Sequence, residues 1–451
     1  MKYFNYCAIF LFIFLPIKIY GAPMQALIIF SGEELGNLEP CGCYEGQIGG
    51  ISRRHTFINS FVKQKNIILP VSLGDLSKGY GRQEEIKTEI LGRAMQEMGY
   101  VLHSLGEKDV ETGPQLLSYL SQVNNTTFLA SNVKIIAPFP MKVHQYVLKE
   151  YSHSEYSFKI AFLSILSKSF SSASIANYVN IYEPVQALKP LIKRLHDKVN
   201  IIVLLSHTPK EESIEIAKFF PEIDLIITGH DIEDPQDSII YVNNIPIVSP
   251  GKGGKYIGIA RYSIQRNATK RMSVDIIPLD RKYKDSEKMK LLLEEYQRML
   301  KEEDLLSKVS QVSLPDGLAY AGSSACGICH KMIYDHWSKT AHGVSYETLV
   351  YSGHQYDPEC IKCHTTGYGY VSGFLNYEEN QNLINVGCES CHGAGSFHIR
   401  NVNETSYSLT DENICETCHD SEHSPGFERN EYWRRIVHPE ETLTNLPKVM
   451  K

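Results

Sequence analysis

No long block of basic residues occurs in this 451-residue sequence, where 45 Lys and Arg stand against 52 Asp and Glu for a net charge of −7. Charge therefore gives no reason to expect nucleic acid or an anionic membrane surface as a partner. Internal repeats are also absent, apart from one short cysteine motif, and apolar runs become scarce after about residue 317. What is present, at 43% hydrophobic and 22% charged, is the composition of a globular protein long enough for two or three domains.

Residues 1–22 read as an export signal. Lys2 precedes an apolar run from Cys7 to Pro16 that is too short to span a bilayer comfortably. Cleavage after Tyr20-Gly21-Ala22 would leave Pro23 next to the cut, so an N-terminal membrane anchor stands as the alternative. Cys7 precedes most of the run, which argues against a lipoprotein signal. The expected location is periplasmic or otherwise extracytoplasmic.

From about residue 24 to residue 280, short apolar strands alternate with helical stretches. Strands are expected at 26–30, 66–73, 158–166, 200–206, 224–229 and 245–250, and helices at 85–98, 184–198 and 210–219. Polar residues gather at the strand ends, as in an α/β domain whose sites form at the carboxyl edges of its strands. Residues 284–306 are charged, carry apolar residues at helical spacing and hold neither Gly nor Pro. They read as a connecting helix within a linker at 281–316.

Eight of the 11 cysteines fall into four copies of one pattern: Cys326-x-x-Cys329-His330, Cys360-x-x-Cys363-His364, Cys388-x-x-Cys391-His392 and Cys415-x-x-Cys418-His419. Two thiols three positions apart can each add to a haem vinyl group, and the following His can serve as proximal iron ligand. A zinc half-site or a redox dithiol would leave the fifth position free to vary. Here it is His each time, so four covalently bound haem c groups are expected. Residues 317–445 are too few to bury a conventional core around four haems, so the porphyrins must supply much of the apolar mass and lie close together. Close packing of that kind makes electron transfer the expected function. His336, His342, His354, His398, His423 and His438 are the candidates for distal ligation.

The stretch 320–438 resembles the tetrahaem cytochrome c-554 family through SSACGICHKMIYDHWSKTAH, YDPECIKCHTTGYG, VGCESCHGAGSFH and ICETCHDSEHSPGF. By position, the resemblance implies His342, His398 and His438 as distal ligands. It also implies three distal histidines for four haems, with one iron five-coordinate. His354 and His423 are the candidates to fill that vacancy.

The first 280 residues resemble the calcineurin-like metallophosphoesterase domain of the 5′-nucleotidase family, through ALIIFSGEELGNLEPCGC, SLGDL, SLGEKD, LLSH and LIITGHD. The implied fold is a four-layer α/β/β/α sandwich, joined by the helix to a mainly helical, loop-rich multihaem domain. That family builds a two-metal centre from DxH, GD, GNH, a lone His and GHxH. Here the first motif becomes Glu33 and Leu35, Asp75 keeps the bridging position, and GNH becomes Gly106-Glu107-Lys108. His207 is retained, and GHxH becomes Gly229-His230-Asp231-Ile232. The first ion is left with Glu33 and Asp75 alone. The second keeps Asp75, Glu107, His207 and His230, a set suited to one Zn, Mn or Fe ion. A polar strand-edge cluster without metal stands as the alternative, and efficient phosphoester hydrolysis is not expected.

Cys41-Gly42-Cys43 follows the first strand. Two thiols one residue apart can bind a soft metal or form a strained, easily reduced disulfide, and Cys41 and Cys43 are thus a candidate redox pair, with a structural or incidental disulfide as the alternative. PCGC followed by a Gly-Gly segment resembles a branch of 5′-nucleotidase-like proteins in which the second Cys position can be selenocysteine. The sequence thus predicts an exported electron-transfer protein served by redox partner proteins. The alternatives are a redox enzyme acting on a small nitrogen or sulfur compound, at an open haem or at Cys41/Cys43, and a metal-dependent phosphoesterase.

Overall fold

The computed structural model describes residues 25–40, 46–62, 66–123, 126–136, 141–153, 156–230, 232–263, 272–402 and 413–439. The export segment and the Cys41/Cys43 loop lie outside the described residues. Among the described residues, no helix is long and apolar enough to cross a membrane.

The strands are, in chain order, β1 Gln25–Ser31, β2 Ile67–Ser72, β3 Leu102–Ser104, β4 Phe128–Leu129, β5 Val133–Ile135, β6 Val143–His144, β7 Val147–His153 and β8 Tyr156–Leu166. They continue with β9 Val179–Ile181, β10 Ile201–His207, β11 Leu225–Gly229, β12 Ile240–Val242, β13 Ile245–Val248, β14 Tyr256–Ser263 and β15 Met272–Pro278. A seven-stranded sheet runs β15-β14-β1-β2-β3-β4-β6 and a six-stranded sheet β12-β13-β11-β10-β8-β7. Helices α1 Ile51–Val62, α2 Arg82–Glu97, α3 Glu107–Thr112 and α4 Pro114–Val123 belong to the first half; α5 Pro184–Leu195, α6 Lys210–Phe219 and α7 Glu287–Glu302 follow.

Side-chain alternation makes the layers. In β1, Ala26, Ile28 and Phe30 point into a core shared with Phe162, Val203 and Leu205 of the other sheet. Leu27 and Ile29 point the opposite way, toward α1 and α2. Leu163 and Leu204 likewise leave the inner core for α5 and α6. Because successive strand residues face opposite sides, two sheets apolar on both faces must stack on each other and carry helices outside. The result is the α/β/β/α sandwich.

All six strands expected from the sequence form, and α6 occupies 210–219 as expected. The antiparallel hairpin of β14 and β15, which extends the first sheet beyond β1, has no counterpart among those expectations. Helix α7 does more than connect: Met289, Leu292, Tyr296 and Leu300, spaced three to four apart, are buried in the core that α1 and α2 cover.

Among the described residues, the C-terminal part has no sheet. Short helices include Ser323–Cys326, Lys331–Trp337, Ser345–Ser352, Pro358–His364, Cys388–His392 and Arg429–Ile436. Its buried apolar cluster holds only Leu306, Tyr346, Leu349, Ile361, Phe374 and Leu383. So small a core needs additional apolar mass or cross-links.

Candidate functional site

The carboxyl ends of β1, β2, β10 and β11 converge on one pocket. Asp75 sits in the loop after β2 in a left-handed conformation (φ 51°), which Asp tolerates better than most residues. The carboxylate of Asp109 fixes it there, accepting the backbone N–H groups of Asp75 (2.9 Å), Leu76 (2.8 Å) and Gly106 (2.9 Å), and His103 Nε2 (2.9 Å). Gly106 is needed for this approach, because a Cβ there would come within 2.0 Å of Asp75 Oδ1. Asp109 escaped the sequence analysis, although an acid three residues after a glycine at a helix start is a recognisable capping signal.

Glu107 opens α3 and bridges the two histidines: His207 Nε2 donates to Oε2 (2.8 Å) and His230 Nε2 to Oε1 (3.0 Å). His207 Nε2 also lies 3.3 Å from Asp75 Oδ2. Phe170 stacks on the His230 ring at 4.0 Å. Burial raises the Asp75 carboxyl to about 6, with His207 pulling down and Glu107 and Asp109 pushing up. Burial works against Glu107 too, yet hydrogen bonds from both histidines hold it well below the usual carboxylate range. Lys108 donates its backbone N–H to Asp75 Oδ1 (3.0 Å) and holds its ammonium 3.8 Å from Oδ2.

Two donor sets overlap in this pocket. Donor atoms of Glu33, His207 and His230 lie within 4.8 Å of one another, as do those of Asp75, Glu107 and His207. His207 belongs to both, so the five residues share one pocket, and their imidazole and carboxylate donors are of the kind that bind Zn, Mn or Fe.

In the C-terminal part, Cys326 lies beside Cys388 and Cys363 beside Cys418, and Cys391 lies near Cys415 and Cys418. The first motif therefore adjoins the third, the third the fourth, and the fourth the second. Glu389, inside the third motif and 2% exposed, accepts the N–H groups of Ala321, Gly322 and Gly395 and so ties the first motif's approach to the third. A variable position within CxxC carries no sequence signal for that role.

The histidines pair across gaps. Ring centroids of His330 and His398 are 6.3 Å apart, of His342 and His419 6.2 Å, and of His392 and His438 6.1 Å. With metal–imidazole bonds of about 2 Å, rings on opposite sides of one iron have centroids about 6 Å apart, so the spacing fits an axially ligated haem. Among the described residues, no imidazole faces His364, whose Nδ1 donates to Ser345 O (2.7 Å). His354 turns to Glu39 (3.1 Å) and Gln297 (3.2 Å), and His423 to Asp420 (2.8 Å). His336 lines a cavity of about 670 Å³ with Lys331, Met332, Lys339 and Arg435. That volume lies within the roughly 300–1,000 Å³ of small-molecule and cofactor sites.

Residues 325–393 match the family model for cytochrome c554 and c-prime. Over 106 residues, 20% of the chain, the sequence is 30% identical to cytochrome c-554 of Nitrosomonas europaea, and spans 45% of that relative's length. The likeness to a c-type cytochrome family points to covalent haem c as the cofactor of the C-terminal segment, and the chain spans less than half the length of that relative. The fold is similar to that of a 5′-nucleotidase precursor from Thermus thermophilus, with a TM-score of 0.54 at 15% identity over 74% of this chain and 68% of that one. It is also similar to the calcineurin-like phosphoesterase YfkN from Bacillus subtilis, with a TM-score of 0.53 at 17% identity over 61% of this chain and 98% of that one. At such identities the likeness is one of fold, and it covers the N-terminal sandwich.

Proposed function

We propose that this chain is an exported electron-transfer protein carrying four haem c groups, in which the second haem keeps an open axial position. The eight motif cysteines hold the haems, and His330, His364, His392 and His419 are the proximal ligands. His398 completes the first site, His438 the third and His342 the fourth. The carrying observation is the common ring separation of 6.1 to 6.3 Å in three pairs, set against the solitary His364. His364 is oriented by its Nδ1–H···O bond to Ser345, which leaves Nε2 for iron, the usual arrangement of a ligating imidazole.

Bound haem supplies one-electron chemistry. The contacts between cysteines favour the order first, third, fourth, second, with the second site at the end next to the sandwich. A second reading follows from the same assignment: with no imidazole facing His364 among the described residues, a small nitrogen or sulfur compound would react at the second haem. Redox partner proteins serve either reading.

In the sandwich, Asp75, Glu107, His207 and His230, with the buried Glu33 beside them, would hold one divalent metal. Phosphoester hydrolysis by a metal pair needs two ions to clamp the attacking and leaving oxygens, and Leu35 and Ile232 stand where the resembled family has histidine ligands of the first ion. Cys41 and Cys43 remain the proposed redox pair of the neighbouring loop. Electron paramagnetic resonance of the ferric protein tests the main reading: three low-spin centres and one high-spin centre per chain are expected. Four low-spin centres would exclude the open site.

A further inference from the structure

The helix Pro358–His364 carries both cysteines and the proximal His of the second motif, and its N-cap is bound by the sandwich. Asp357 caps it by accepting the N–H of Glu359 (2.9 Å). The same carboxylate accepts Tyr296 Oη–H from α7 (3.0 Å) and Gln83 Nε2–H from the start of α2 (2.8 Å). Glu359, one residue on, pairs with Lys87 of α2 (2.7 Å). His354 meets Glu39, which the loop after β1 presents, at 3.1 Å. Donor atoms of His354, Asp357 and Cys360 all lie within 4.8 Å of one another. A titratable cluster built by both halves of the chain thus has two of its members, His354 and Asp357, within 4.8 Å of the sulfur that would bind the second haem.

We infer that the Glu39 carboxylate, within the Glu39–His354–Asp357 cluster, takes up a proton when the second haem is reduced. The inference rests on the haem assignment proposed above. One electron from a one-electron donor reaches the iron and one proton from solvent binds Glu39, so the site's net charge is unchanged. In a medium of low polarity an added negative charge raises the proton affinity of nearby acids, and the two events favour each other.

The surroundings support this role. Partial burial lifts Glu39 above the usual carboxylate range; His354 opposes the rise, and Asp357 and Asp285 add to it. Lys87 and Tyr296 face Asp357 from α2 and α7. The Glu39 side chain is still 38% exposed, which gives the proton a route from water.

The test is a redox titration of the full-length holoprotein over roughly pH 5 to 8. The second haem is followed by its high-spin signal and all four optically. In the wild type, the second potential should fall as pH rises, approaching about 59 mV per unit for one proton per electron. Glu39→Gln should flatten this slope and hold the potential near the wild type's low-pH value, because a neutral side chain replaces a carboxylate. His354→Gln removes the partner that holds the Glu39 pKa down and should move the inflection to higher pH. An unaltered slope in Glu39→Gln overturns the inference. Absence of a high-spin signal counts against the open site instead. Even then, loss of the pH slope from one of four optical potentials in Glu39→Gln would support the inference, and its persistence would overturn it.

Discussion

The imidazoles of His330 and His398 lie nearly parallel, at 25°, with their centroids 6.3 Å apart. Rings stacked face to face are closer: Phe170 and His230 stack at 4.0 Å. The gap leaves room for the iron that the proposed ligand pair requires. His398→Ala should therefore turn the first haem from low-spin to high-spin, raising the high-spin count per chain from one to two in the ferric spectrum. An unchanged count would remove His398 from the ligand set.

Carbon monoxide offers a direct count of open sites. The ferrous protein should bind one equivalent per chain, and His354→Ala and His423→Ala should leave that number unchanged, since these side chains bond Glu39 and Asp420. Two equivalents in either variant would show that the substituted histidine is an iron ligand.

For the sandwich pocket, titration of the holoprotein with Zn or Mn should show one equivalent bound, lost in His207→Ala. Asp109 touches Asp75 only through backbone groups, so Asp109→Asn should weaken affinity by about 10–100-fold, as changes behind metal ligands do. Phosphate release from nucleotides should be absent in all three proteins. Release by the Mn-loaded wild type would revive the hydrolase reading.

Glu34 and Arg54 form a buried ion pair, both side chains fully enclosed, between the loop after β1 and helix α1. Arg54→Met would leave Glu34 charged and uncompensated, at a cost of about 3–5 kcal/mol. Urea unfolding followed by a probe confined to the sandwich should show this loss, and the double change with Glu34→Leu should recover most of it. Equal losses in the single and double variants would contradict the account.

Alkaline pH should loosen the junction between the two halves. Burial would lower the Lys87 ammonium, but Glu359 and Glu84 outweigh it and raise its pKa to about 12. A group raised on folding contributes fully below its unfolded value of 10.5 and loses that contribution as pH rises through about 12. Thermal stability should therefore drop between these values in the wild type. In Lys87→Met the drop should be smaller and the protein less stable at neutral pH.

Much of this was legible in the sequence because it is local. Four CxxCH motifs place thiols and a histidine within five positions, and the strands at 26–30, 158–166 and 200–206 announce themselves by runs of branched apolar residues. The hairpin of β14 and β15 did not, because its outer strand is half-exposed and alternates polar with apolar residues. Asp109 and Glu389 were missed for another reason. Their roles consist of backbone groups brought to them from elsewhere in the chain.

The sequence by itself determined the residue types: which cysteines and histidines could hold haem, which carboxylates and histidines survive in the pocket, and that a sandwich precedes a small-cored segment. Tertiary structure alone decided the pairings. His398 faces His330, His438 faces His392 and His342 faces His419, while His354, an equal candidate by composition, bonds Glu39 from the other half of the chain. An imidazole's role depends on what stands a few ångströms away, and linear spacing carries no record of that once the partners lie tens or hundreds of residues apart.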